Sequence, residues 1–273
     1  MAYETLGYEE SDGVAWVTLN RPDVHNAFNS VMMRELHELW SAMRANDAVR
    51  VAVLTGAGEK AFCTGIDRAE GVAGRSPLPG GRHVGSPSDS PFMFDDPGDV
   101  IGPKTNDLWK PVIAAVNGMA CGGAFYLLGE CDIIIAADQA TFFDPHVSYG
   151  MTASFESIHM AYRMPFGEAV RMQLLGNDER LSAKRAYEIG LVSEVVAANE
   201  LRGAARWLAD RIAEKPPLAV QGTLRALWAA RDLPRSQALA LGYAFVKMGT
   251  NADSIAEGQR AFASGERPKW RLR

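Results

Sequence analysis

The chain has 273 residues, 47% hydrophobic and 22% charged, with a net charge of −5. That is ordinary globular composition, with enough chain for a sizeable core and one large domain plus an appendage. Lysines and arginines are scattered, so nucleic acid has no electrostatic footprint here. The polar, acidic start Met1-Ala2-Tyr3-Glu4-Thr5 does not read as a signal peptide.

In chain order, Val14-Ala15-Trp16-Val17-Thr18-Leu19 alternates and is rich in β-formers, which predicts a strand ended by Asn20-Arg21-Pro22. Asn29 or Ser30 can cap a helix through about Asn46, with Met33, Leu36, Leu39, Trp40 and Met43 on one stripe. Val51-Ala52-Val53-Leu54-Thr55 reads as a buried strand. A first glycine turn follows in Ala61-Phe62-Cys63-Thr64-Gly65-Ile66-Asp67, with a short helix expected from about Asp67. Gly, Pro and Ser supply 17 of residues 71–103, so that stretch, which contains His83, is expected to be a lid or binding loop with no regular element.

Residues 111–129 carry no charge and could pass for a membrane span. Pro111, Asn117, Gly118, Gly122 and Gly123 break them into strand, turn and helix instead. The strand is Val112–Val116, and a second glycine turn, Asn117-Gly118-Met119-Ala120-Cys121-Gly122-Gly123-Ala124, opens a helix through about Gly129. Asp132–Ala136 and Ala140–Phe143 read as strands. Phe155–Tyr162, Gly167–Leu175 and Ser182–Ile189 read as helices, and Ser193–Val196 as a short strand. Beyond residue 199 the pattern is helical: Glu200–Ala213, Leu218–Ala230, Ser236–Met248 and Asp253–Phe262. Strands alternating with helices and then helices alone predict an α/β core, residues 1–198, with a helical extension, residues 199–273. Cys63, Cys121 and Cys131 are odd in number and lack metal-ligand spacing, which fits packing in a reduced, cytoplasmic setting.

The two glycine turns carry most of the functional information. Brought together, they would aim two backbone N–H groups at one point, which is how a protein holds the negative oxygen of an enolate or tetrahedral intermediate.

Leu19-Asn20-Arg21-Pro22, Ala61–Asp67, Lys110–Gly118 and Cys131–Ala136, with Leu181-Ser182-Ala183 and Ala186–Val192, resemble the enoyl-CoA hydratase/isomerase (crotonase) superfamily over roughly residues 5–265. The resemblance implies a spiral of ββα units with a helical C-terminal trimerisation region. It also implies a homotrimer or homohexamer, an acyl-CoA thioester substrate, and no metal or organic cofactor beyond the CoA of the substrate. Neither nucleic acid nor membrane is expected as a partner. Position by position, the oxyanion-hole donors would be the N–H groups of Ile66 and Gly123. Gly122 and Gly123 lack side chains, so a thioester can approach the backbone closely.

The resemblance breaks at the acid/base positions. Two-glutamate hydratases place their first glutamate where this chain has Tyr126, and their second where Phe143-Asp144-Pro145-His146 puts His146. Ordinary two-glutamate hydration is therefore not expected. His146 is the candidate proton carrier, with Asp144 able to orient its ring. Tyr126 lies one helical turn past Gly123 and is read as pocket lining or a proton donor. Glu130 is a further candidate and more readily an ion-pair or capping partner. Ser154 falls where some relatives keep an extra acid, with Glu156 two residues on. Met151–Phe155 lacks the Pro-Gly-x-Gly-Gly run common in hydratases.

Substrate contacts are expected from Ala61, Thr64 and Gly122, and phosphate contacts from His25, Arg68 or Lys269. The leading expectation is an acyl-CoA enzyme of the hydratase/isomerase type, running isomerisation, hydration-like or lyase chemistry through an enolate. The alternatives are a C–C bond hydrolase acting on a β-diketone and a non-catalytic CoA-ligand-binding paralogue.

Overall fold

The computed structural model describes residues 3–69, 96–265 and 271–272. The first half runs β1 (Leu6–Ser11), β2 (Val14–Leu19), α1 (Ser30–Ala45), β3 (Val51–Gly56), β4 (Ala61–Cys63), α2 (Gly98–Ile101), β5 (Val112–Val116), β6 (Met119–Cys121) and α3 (Ala124–Glu130). Then come β7 (Ile133–Ala137), β8 (Thr141–Phe143), α4 (Phe155–Ala161), α5 (Phe166–Leu175), β9 (Leu181–Ser182), α6 (Ala183–Glu188) and β10 (Glu194–Val196). Four helices close the chain: α7 (Leu201–Ala213), α8 (Pro217–Asp232), α9 (Arg235–Gly249) and α10 (Ala252–Ala263).

The strands form two sheets, ordered β1-β2-β3-β5-β7-β10 and β4-β6-β8-β9. The pairs β3/β4, β5/β6 and β7/β8 each put one strand in either sheet, and every turn of chain adds a parallel strand to both. A helix follows each pair, so the repeating unit is ββα and the chain winds as a spiral. β1 pairs antiparallel with β2 at the edge of the large sheet, and β9 antiparallel with β8 at the edge of the small one.

Side-chain alternation explains why the inner strands of the large sheet, β2, β3, β5 and β7, are almost wholly apolar. Val14, Trp16, Val51, Val53, Ile113, Ala115, Ile135 and Ala137 face one side, against α7. Ala15, Val17, Ala52, Leu54, Val112, Ala114, Ile134 and Ala136 face the main core. A sheet covered on both faces tolerates no polar stripe. α7 contributes Leu201, Ala205, Ala209 and Ala213, a helical stripe of mostly small residues, and so belongs to the packed core.

α1 starts where Asn29 accepts a bond from the Met32 N–H at 3.0 Å. It ends where the buried Lys110 donates to the carbonyls of Met43 and Asn46 at 2.8 and 2.6 Å. Its buried Met32, Leu36, Leu39, Trp40 and Met43 enter the main core, and Trp40 Nε1–H donates to the Ile101 carbonyl, which ties α1 to α2.

Some expectations are corrected. Ile66 forms an isolated parallel bridge with Phe28 and residues 68–69 are turn, while the rest of the short helix expected from about Asp67 lies outside the described residues. The segment expected to be irregular contains α2 at its end, and the rest of it, with His83, lies outside the described residues, as does Lys269. β1, β6 and β9 add strands that periodicity did not single out. Among the described residues no helix is long and apolar enough to cross a membrane.

Candidate active site

The first glycine turn is braced from behind. Arg21 is ion-paired with Asp67 at 2.8 Å and donates to the Ala27 carbonyl at 2.7 Å. The fully buried Asn26 donates to the carbonyls of Ala57 and Ala61. Phe28 N–H donates to the Gly65 carbonyl and Asp67 N–H to the Phe28 carbonyl, both at 2.9 Å. In such a parallel bridge the residues flanking Ile66 take up both bonds, and the N–H of Ile66 itself is turned away from Phe28.

The second turn abuts the first. Gly65 has φ +82°, and a Cβ there would stand 2.7 Å from the Gly123 nitrogen. A Cβ on Gly123 would meet the Phe28 ring at 2.7 Å and the Gly65 Cα at 3.2 Å. Glycine at both positions lets the two backbones touch. Among the described residues, neither the Ile66 N–H nor the Gly123 N–H has a hydrogen-bond acceptor.

Both residues line a cavity of about 340 Å³, together with Phe28, Tyr126, His146 and Glu156. Of the other expected contacts, Thr64, Arg68, Gly122 and Ser154 line it too, Arg68 stacked over the Tyr149 ring at 4.4 Å. His25 and Ala61 do not. They border a separate depression with Pro22, Asn26 and Lys60, because the Ala61 carbonyl is spent on the Asn26 and Asn117 amides. Glu130 is also excluded. It sits one turn deeper than Tyr126, buried, accepting the N–H groups of Lys104 and Thr105 at 2.7 and 2.9 Å and the Thr105 hydroxyl.

His146 begins a 3₁₀ turn, His146–Tyr149, which Asp144 and Pro145 join to the end of β8. Its Nδ1–H donates to Asp144 Oδ1 at 2.5 Å, and its main-chain N–H donates to the same oxygen at 3.0 Å. Asp144 is fully buried, and its Oδ2 has no partner among the described residues. The other ring nitrogen, Nε2, lies 3.6 Å from Glu156 Oε1. The Asp144 hydrogen bond holds the imidazole above its ordinary pKa against the opposing effect of burial, and the charges of Asp144, Glu156 and Asp96 add to it. Burial raises Glu156. Ligand atoms of Asp144, His146 and Glu156 lie within 4.8 Å of one another, close enough to share a cation. Asp144 is hydrogen-bonded to one ring nitrogen of His146, and Glu156 faces the other across 3.6 Å as a charge contact.

The Tyr126 hydroxyl donates to Asp96 Oδ2 at 3.3 Å and stands beside Glu156. Burial raises this phenol further above its ordinary range, so it is a donor and not a base. Behind it the ring of His159 packs edge-on at 6.3 Å, kept neutral by burial, which lowers it to about 4. Of the two carboxylates lining the cavity, Asp96 is the one that sequence reasoning missed. It closes a segment without periodicity, and its only sequence signal was the acidic pair Asp95-Asp96 before Pro97.

The family profile described as Enoyl-CoA hydratase/isomerase matches residues 9–273. The chain belongs to this family. It is similar to the (E)-benzylidenesuccinyl-CoA hydratase of Thauera aromatica, 35% identical over 263 residues, covering 96% of this chain and 97% of that protein. It is 32% identical to the carnitinyl-CoA dehydratase of Proteus mirabilis over 99% of both chains. Among solved structures, an enoyl-CoA hydratase/isomerase from Mycobacterium paratuberculosis superposes with a TM-score of 0.83 at 36% identity, covering 99% of each chain. This family member is thus an enzyme, and its α/β architecture is the crotonase spiral expected from the motifs.

Proposed function

We propose that this enzyme adds water across the α,β double bond of an acyl-CoA thioester and removes it in reverse. The observation that carries the reading is the pair of N–H groups without an acceptor among the described residues, Ile66 and Gly123, on two abutting turns at the wall of the cavity lined by His146 and Glu156, with the buried Asp144 behind His146. The hydratase and dehydratase names of its relatives agree with it.

In this reading the thioester carbonyl accepts from both N–H groups. As water attacks Cβ, the π electrons move onto the thioester oxygen, and fixed dipoles aimed at that oxygen favour the enolate. His146 enters as the imidazolium, its charge held by Asp144 on one nitrogen and Glu156 beside the other. It gives the Nε2 proton to Cα as the enolate collapses. In dehydration the neutral ring takes that proton back. Thr64, Gly122 and Ser154 shape the channel, and Arg68 reaches the CoA arm. Phe28, Tyr126, Tyr149 and Phe155 make a largely aromatic wall for the acyl group.

Within residues 199–273, α7 is taken up by the core, while α8 carries the exposed Leu227 and α9 the exposed Leu239, Tyr243 and Val246. These residues form the oligomerisation region of a homotrimer or homohexamer.

The test follows loss of the conjugated enoyl absorbance with crotonyl-CoA and cinnamoyl-CoA. His146→Gln is expected to lower kcat by about 10²–10⁴, the usual worth of a positioned acid or base, with thioester Kd unchanged within threefold. Equal loss in kcat and binding would remove His146 from the chemistry. Binding without turnover by the wild-type enzyme would overturn the reading.

A further inference from the structure

The group Asp144, His146 and Glu156 accounts for one proton, the one delivered to Cα. Addition of water moves a second, because the attacking water must lose a proton as its oxygen bonds to Cβ. His146 cannot serve both at once: as the imidazolium it has no lone pair left to accept with. A further group in the same cavity is needed, with a free lone pair and no fixed cation.

Asp96 meets these conditions. It lies just before α2, is 6% exposed and lines the cavity. Its Oδ1 is held by the Gly98 N–H at 2.8 Å, and its Oδ2 accepts the Tyr126 hydroxyl at 3.3 Å. Each oxygen therefore keeps one lone pair, and no ion pair engages the carboxylate among the described residues. Tyr126 fixes it from α3, one turn past Gly123, so the helix that opens at the second glycine turn also sets the carboxylate relative to Gly123.

Resting on the hydration reading above, we propose that Asp96 is a catalytic residue, the base that holds the attacking water and takes its proton. The water O–H bond breaks toward the Asp96 carboxylate and the O–Cβ bond forms. The π electrons pass to the thioester oxygen, and the His146 Nε2–H proton goes to Cα. The turnover ends with Asp96 protonated and His146 neutral, and one proton passes back from Asp96 to His146 before the next.

The surroundings of Asp96 suit a base. Burial raises it to about 6, and Glu156 on α4 and Asp99 on α2 push the same way; the Gly98 N–H and the Tyr126 hydroxyl oppose them. His146 is the remaining titrating group that faces it. The carboxylate is thus ionised at neutral pH yet more basic than an exposed aspartate.

The experiment measures kcat and kcat/KM against pH for the wild type, Asp96→Asn, Asp96→Glu and Tyr126→Phe with crotonyl-CoA and cinnamoyl-CoA, and the Kd of each variant for butyryl-CoA. Asp96→Asn is expected to lower kcat by about a hundredfold or more, keep Kd within threefold and lose the acidic limb of the profile near pH 6. Asp96→Glu restores part of the rate. Tyr126→Phe keeps the limb but moves it to higher pH, because a bond favouring the ionised carboxylate is gone. Asp96→Asn with near wild-type kcat, or with the acidic limb intact, would overturn the assignment and leave the hydration reading standing. A wild-type enzyme that hydrates neither thioester would bring down both.

Discussion

At the scale of single residues, the cavity works by placing titratable groups where each changes its neighbour. His146 lies between two carboxyl groups of unequal effect. Asp144 bonds Nδ1 at 2.5 Å and is the larger cause of the raised imidazole; Glu156 acts across 3.6 Å on the other nitrogen. If the ring acts as the imidazolium, activity is present below its pKa and lost as pH rises through it, giving the alkaline limb. Removing either negative charge lowers that pKa, so the limb moves to lower pH. Glu156→Gln is expected to shift it modestly and Asp144→Asn further, read from kcat/KM profiles on one thioester. A limb that stays in place in both variants would mean that another group gives it. Of these residues, His146, Asp144 and Tyr126 were legible from motif positions. Glu156 stands two residues past Ser154, which occupies the position where some relatives keep an acid; α4 begins at Phe155, which puts Glu156 in its first turn, lining the cavity. Asp96 was not legible, since only the folded chain carries that segment to Tyr126.

At the scale of elements, the site depends on two turns from different units of the spiral meeting backbone to backbone. β4 and β6 are neighbours in the small sheet, so the turns that follow them leave side by side. Gly65 is where this can be probed. A Cβ there would stand 2.7 Å from the Gly123 nitrogen, whereas Gly190, with nearly the same φ of +83°, has open space around it. Alanine at either position bears a similar left-handed penalty, about 1–2 kcal/mol. Gly65→Ala must also push Gly123 aside. It is therefore expected to lose at least tenfold in kcat/KM, while Gly190→Ala loses stability without a matching loss of activity. Thermal unfolding and steady-state kinetics on the two variants decide this, and equal kinetic effects would count against the contact.

At the scale of the whole molecule, what stands out is the apolar surface left by the last helices. α9 has no buried residue, and Leu239, Tyr243 and Val246 along it are each more than half exposed. Exposed apolar side chains on consecutive helices are the mark of a protein–protein contact surface. Light scattering on the purified enzyme is expected to give three or six times the mass of one chain. Charged residues at Leu239 and Val246 are expected to lower that mass and to leave the chain folded by circular dichroism, since α7 and the sheets keep their own cores. A wild-type enzyme with the mass of a single chain would refute the oligomerisation region.

The amino-acid sequence by itself determined which segments become strand and helix in the core, because burial on both faces of the large sheet demands unbroken apolar runs and α7 demands a helical stripe. It also determined where the chain turns sharply, at the glycines of the two turns, of which Gly65 and Gly123 leave no room for a side chain. What it could not determine was proximity. The meeting of Gly65 with Gly123, of Nε2 with Glu156 and of Tyr126 with Asp96 brings together residues that are 10 to 58 positions apart. Those distances follow from the stacking of one ββα unit on the next, and only the tertiary structure decides them.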